Sequence, residues 1–240
     1  MSDAISQIAP NIYCIAVAYS NFYLCVDDVE GLTLIDAGVP NRGHHLFSFL
    51  GKLGYQPQDL KHILLTHSDM DHVGSAADIQ AKSGARVYAS GETAVHIQNA
   101  TSPKHLPPLV EFIVSYLLKP YQPIAESVIT IVQDGDVLPM MGGIHVLATP
   151  GHTPDHHSFY CPSAGVLFTG DALNTNRNRI QLTPKVITAD METAVSSAIR
   201  LLEIAPAILA CSHGVPKSDH SMDTLMDIFN KLRKQQAKAG

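Results

Sequence analysis

The chain has 240 residues, 45% hydrophobic and 16% charged, with a formal net charge of -6, so it is long enough to bury a full core. The acidic balance and the lack of any basic tract argue against nucleic acid as a partner, and no apolar run is long enough to span a bilayer. Residues 1–7 show no basic stretch leading into an apolar one, and the four cysteines, Cys14, Cys25, Cys161 and Cys211, form no C-x-x-C pair; the expectation is a reduced, cytoplasmic protein with those thiols in its core.

In chain order, β-rich runs are predicted at 11–19, 22–26 and 32–35, the last ending on Asp36-Ala37-Gly38. Residues 41–53 suit a helix closed by Gly54. A short apolar strand at 63–65 then runs into Thr66-His67-Ser68-Asp69-Met70-Asp71-His72-Val73-Gly74, followed by a helix through Lys82. His67, Asp69, Asp71 and His72 place four cation-binding groups within six positions at a strand-to-helix turn. Two imidazoles and two carboxylates packed this closely are costly unless something positive holds them together; the other reading is a polar turn with incidental histidines.

A strand at 86–89 and a helical stretch from Ser90 come next. Residues 99–123 hold five of the fifteen prolines and an almost wholly apolar stretch interrupted only by Glu111 and Ser115. A helix apolar around most of its surface must cover a site, meet a second subunit or lie in the core, so this insertion is expected to be a lid or, through 105–119, a homodimer interface, with a buried core helix as the other reading. Strands follow at 128–132, 144–148, 157–160, 166–169 and 207–210, with helices at 191–204 and 221–234. Strands and helices in both halves without strict alternation fit two mixed sheets with helices outside.

Three of these strands end as the motif does. Thr149-Pro150-Gly151-His152 delivers a histidine, Thr169-Gly170-Asp171 an acid, and Cys211-Ser212-His213-Gly214 another histidine. Any one alone reads as an ordinary turn; four strand ends all closing on His or Asp point to one shared site. Together they resemble the metallo-β-lactamase-fold hydrolase superfamily, with its T-H-x-H-x-D-H motif followed by separate His, Asp and His motifs, over almost the whole chain. The resemblance implies a single domain, residues 1–240, folded as a four-layer αββα sandwich (α/β, α+β class) of two mixed sheets flanked by helices. It implies two divalent metal ions at one edge: His67, Asp69 and His152 on the first, Asp71, His72 and His213 on the second, Asp171 bridging, and Asp36 supporting the metal turns from beneath.

One position departs from the family pattern, which usually has histidine where this chain has Asp69. Two carboxylates and a hydroxide against two divalent cations leave one net positive charge; a third carboxylate leaves none. That raises the pKa of bound water and shifts preference from zinc, still the first expectation, towards iron or manganese. The implied chemistry is hydrolysis of a small ester, lactone, thioester or amide with an apolar portion, by a hydroxide held between two metals, with Asp71 orienting the nucleophile and relaying a proton. The alternatives are an iron-dependent redox enzyme resembling sulfur dioxygenases and a non-catalytic, metal-stabilised binding protein. No G-x-S-x-G elbow, P-loop or G-x-G-x-x-G occurs. His156, at the start of the strand after His152, is a candidate for supporting a ligand from behind, with a core or surface role as the other reading. Arg177 and Arg179 could meet an anionic substrate or lie in a solvated loop.

Overall fold

The computed structural model describes residues 4–104, 107, 121–218, 227–228 and 230–234. Its first sheet has seven strands in chain order: β1 (Ala4–Ala9), β2 (Ile12–Val17), β3 (Ser20–Asp27), β4 (Gly31–Ile35), β5 (Leu60–Leu64), β6 (Arg86–Ala89) and β7 (Ile129–Ile131). The pairs from β1 to β4 are antiparallel and those from β4 to β7 parallel. The second sheet contains β8 (Val137–Leu138), β9 (Ile144–Ala148), β10 (His157–Cys161), β11 (Val166–Gly170) and β12 (Ile208–Cys211), in the spatial order β12-β11-β10-β9-β8 with only β11 and β12 parallel.

Alternation along β3 explains how the layers stack, because successive side chains point to opposite faces. Phe22, Leu24 and Val26 face outward into a core shared with Leu46, Phe49 and Leu50 of helix α1 (Gly43–Leu53). Tyr23 and Cys25 face inward, where Phe159, Phe168 and Val146 of the second sheet meet them; the Tyr23 and Phe168 rings lie 5.3 Å apart. Each large side chain buried this way contributes roughly 1.5–3 kcal/mol. Ile79 of α3 (Ala76–Ser83) and Ile97 of α4 (Gly91–Asn99) cover the same outer face as α1. Behind the second sheet, α5 (Met191–Glu203) lays Val195, Ala198, Ile199 and Leu202 against Leu167 and Leu209. The result is the expected αββα arrangement.

Differences from the sequence reading concern short or exposed elements. Strand β1 is an edge strand whose side chains are largely exposed, and β8 has only two residues; neither offers an alternating apolar pattern. Residues 70–73 form a separate one-turn helix, α2 (Met70–Val73). Of the insertion at 99–123, expected as a lid or, through 105–119, a dimer interface, residues 105–106 and 108–120 lie outside the described residues. So does half of the predicted C-terminal helix, residues 221–226 and 229, while 227–228 and 230–234 are helical and Leu232 is buried against α5. No helix among the described residues is long and apolar enough to cross a membrane.

The two sheets are stitched together along one edge. The His157 N–H donates to Thr66 O at 2.7 Å and the Asn21 N–H to Ser212 O at 2.8 Å. The ends of β4, β5, β9, β11 and β12 and the start of β10 meet along this edge, so residues far apart in sequence converge there.

Candidate metal centre

Each strand end delivers one part of the site. After β4 comes Asp36, held at φ 59; after β5 come His67 and then Asp69, which precedes α2 with its Asp71 and His72. His152 follows β9 through Pro150-Gly151. At Gly151, φ is 137 and a Cβ would fall 2.3 Å from the Ala194 backbone, so only glycine lets α5 approach the turn so closely. Asp171 follows β11 through Gly170, and His213 follows β12.

All seven residues proposed from the sequence as ligands are brought together. His67, His152 and Asp171 form one group able to hold a cation, and Asp71, His72 and His213 another. Asp69 Oδ2 lies 3.5 Å from His67 Nε2 and 3.3 Å from His152 Nε2, which joins it to the first group. Asp171 faces both: Oδ2 is 3.4 Å from His152 Nε2, while Oδ1 is 3.5 Å from His72 Nε2 and 3.3 Å from His213 Nε2. Asp71 Oδ2 sits 3.4 Å from His213 Nε2. These separations exceed a good charge-assisted hydrogen bond. They match the roughly 3.3–3.5 Å between donor atoms around a tetrahedral cation with bonds of about 2.0–2.1 Å.

The imidazoles are aimed by what holds their far nitrogens. His72 Nδ1–H donates to Asp36 Oδ2 at 2.8 Å, His213 Nδ1–H to Tyr19 O at 2.9 Å, and His67 Nδ1–H to Thr66 Oγ1 at 3.0 Å. The Thr66 hydroxyl in turn donates to Asp36, 2.9 Å from Oδ2. With Nδ1 protonated, Nε2 of each ring carries its lone pair towards the site. Nε2 of His67 and of His72 and Oδ1 of Asp171 are buried and have no hydrogen-bond partner among the described residues, a costly state unless a cation accepts them. Electrostatics agree. Burial works against a charged His213, yet Asp171 and Asp71 push it up to about 9; burial likewise opposes the rise of His72, driven by Asp171, Asp36 and Asp71. This cluster of carboxylates favours positive charge beside it, and the donor set fits two cations.

Asp36 lies beneath the site as expected. His156 is fully buried and its ring does not face the cluster of donors: Nε2 accepts the Asp171 N–H at 2.9 Å, so Nδ1 carries the proton to Thr149 Oγ1 at 2.8 Å. Burial, with His67 and His152 nearby, holds it well below the ordinary histidine value and keeps it neutral. Gly170 makes room for that ring, since a Cβ there would lie 2.5 Å from His156 Nε2. Arg177 and Arg179 are exposed, and neither guanidinium pairs with another group among the described residues. No motif pointed to Asp155, a buried carboxylate behind His67. Burial would raise it, but His67 and the hydroxyls of Ser68 and Thr93 outweigh that and hold it below the usual carboxylate range. The available signal was an acid three residues after His152 in a proline-containing turn.

A sequence profile described as the metallo-beta-lactamase superfamily matches residues 16–213, from β2 to the last histidine of the site. The chain belongs to that superfamily. Among similar proteins, the probable metallo-hydrolase YflN of Bacillus subtilis (strain 168) is 26% identical, over 96% of this chain and 94% of its own length. An N-acyl homoserine lactonase from a Bacillus species is 30% identical over 73% of this chain and 72% of its own. The solved Rm3 metallo-beta-lactamase superposes with a TM-score of 0.74 at 19% identity, covering 99% of this chain and 95% of that one. This member of the metallo-β-lactamase superfamily is thus a metal-dependent hydrolase by class, and the superfamily's fold implies divalent metal ions, typically zinc.

Proposed function

We propose that the chain hydrolyses a small ester, lactone, thioester or amide bearing an apolar group, using two divalent cations. His67, Asp69 and His152 would hold the first and Asp71, His72 and His213 the second, with Asp171 facing both. The observation that carries this reading is the division of Asp171, whose Oδ2 faces one histidine group and whose Oδ1 faces the other. Zinc is the first expectation; the hard oxygen of Asp69 makes iron or manganese the second. The domain is read as one unit over 1–240, and the four buried free cysteines favour a reducing, cytoplasmic setting.

When bound, two cations would supply Lewis-acid polarisation of the scissile carbonyl and would lower the pKa of water towards neutrality. The chain's own residues do the rest. Asp71, with a side chain 22% exposed against 6% for Asp171, is the carboxylate open to solvent on the second group; it orients the attacking water, accepts its proton and returns a proton to the leaving group. Asp36 and Tyr19 O keep His72 and His213 in one tautomer throughout. Tyr19, 46% exposed and stacked on His213 with ring centroids 6.5 Å apart, and Val215, 64% exposed just beyond Gly214, offer an apolar wall for the substrate. The lactonase relative makes lactones the first class to try.

The test is elemental analysis of protein purified in metal-free buffer, then a panel of lactones, esters, thioesters and amides with each metal restored. Two equivalents of metal, metal-dependent turnover and loss of at least about 100-fold in kcat for Asp171→Ala or His72→Ala in folded protein are expected. Unchanged turnover in Asp171→Ala would sink the dinuclear assignment. The carboxylate of Asp69 gives one specific reason to hold a second reading, an iron-dependent redox enzyme; iron content with substrate-dependent oxygen uptake would select it.

A further inference from the structure

Directly behind the first cation group, Asp155 is 1% exposed. Its Oδ2 accepts three hydrogen bonds, from the Ser68 N–H at 3.0 Å, the Ser68 hydroxyl at 2.7 Å and the Thr93 hydroxyl at 2.9 Å. Ser68 is the residue between His67 and Asp69. The carbonyl of Asp155 accepts the Ser90 hydroxyl at 3.2 Å, fastening the same turn to the start of α4. Its Oδ1 is buried and meets no donor in hydrogen-bond geometry among the described residues. A buried carboxylate satisfied on one side only is a poor device for stability, so its presence calls for another reason. That reason lies in what Oδ2 holds: the backbone and side chain of the one residue that links two metal-facing side chains, from a turn that also carries His152.

We infer that Asp155 is a positioning residue that locks Ser68, and through it His67 and Asp69, to the turn bearing His152, so that one carboxylate sets the spacing of the whole first donor group. The second group does not touch Asp155: Asp36, which also reaches His67 through Thr66, stands behind His72, and Tyr19 O stands behind His213. The consequence is asymmetric: loss of Asp155 loosens the first site and spares the second. This inference rests on the two-cation reading above.

The test titrates metal-free, full-length protein with zinc against a competing chelator, and with cobalt(II), whose absorption bands report coordination geometry. Wild type is expected to take up two tight equivalents. Asp155→Ala should keep one and weaken the other by about 10- to 100-fold, with altered cobalt bands for that equivalent alone. Asp155→Asn, which keeps an acceptor oxygen for Ser68, should recover most of the affinity. Ser68→Ala should shift the same equivalent by a smaller factor, and it carries the test if thermal unfolding shows Asp155→Ala to be unfolded. The inference is overturned if Asp155→Ala retains two tight equivalents, if both weaken alike, or if Asp155→Asn falls as far as Asp155→Ala, which would assign the effect to charge rather than position. Fewer than two equivalents in wild type would overturn the two-cation reading itself, and this inference with it.

Discussion

At the scale of single residues, the site depends on groups that are costly on their own. Gly170 has φ 53, and a Cβ there would lie 2.5 Å from His156 Nε2 and 2.9 Å from Thr66 Cβ. Gly170→Ala therefore strains the backbone and displaces the ring that receives the Asp171 N–H. The expected loss is about 1–3 kcal/mol, read as a lower urea midpoint with an unchanged slope; an unaltered midpoint would show that the turn can relax. Asp69 differs in what it brings, a charge rather than a shape. Its Oδ2 lies between His67 Nε2 and His152 Nε2, where the superfamily pattern usually has a neutral imidazole. It was visible in the sequence as a departure from the motif, because an acid in place of a histidine is legible whatever surrounds it. Asp155 was not visible in that way, since its role arises only from the contact with Ser68, 87 residues earlier.

At the scale of elements, the His152 turn is held by the start of α5 as much as by β9. The N–H groups of Ala189 and Asp190 donate to His152 O and Gly151 O, each at 2.9 Å. The Ser197 hydroxyl donates to Pro150 O at 2.6 Å. Asp190 also caps α5, its Oδ1 accepting the Glu192 and Thr193 N–H groups at 2.9 and 3.1 Å. Asp190→Ala should cost about 1 kcal/mol, measured as a shift in urea midpoint; no shift would mean that packing of Val195, Ala198 and Leu202 alone orders the helix. The α5 pattern was readable because its apolar positions recur at helical spacing over 13 residues. Elements β1 and β8 were not, because an exposed edge and a two-residue strand have no buried face to impose a pattern.

At the scale of the molecule, the two sheets cohere through their shared apolar layer and a few polar ties at its margins. One tie is Asp27, whose Oδ2 accepts the Met141 N–H at 2.5 Å and whose Oδ1 accepts the Val29 N–H at 2.9 Å. Burial raises its carboxyl, but the backbone donors of Val29, Met141 and Glu30 together outweigh this and hold it below the ordinary carboxylate value. A folded pKa below the unfolded one gives stability that is fully present above about pH 4 and lost as pH falls through the folded value. Asp27→Asn should therefore be less stable than wild type at neutral pH, and the difference should shrink below pH 4 in urea titrations across that range. A difference independent of pH would remove the charge from the explanation.

The sequence by itself determined the elements with a buried face, the four strand ends that close on His or Asp, and the acid at Asp69 where the motif usually has histidine. Each of these is written in local spacing, because periodicity of 2 or 3.6 and a ligand at a turn need no distant partner to be recognised. Tertiary structure alone decided that Asp171 turns one oxygen to each histidine group, that His156 faces the Asp171 amide rather than the donor cluster, and that Asp155 braces Ser68. Those facts depend on the stacking of two sheets, which brings residues 67, 155 and 171 to one edge, and no local pattern encodes the direction in which a side chain points across that gap.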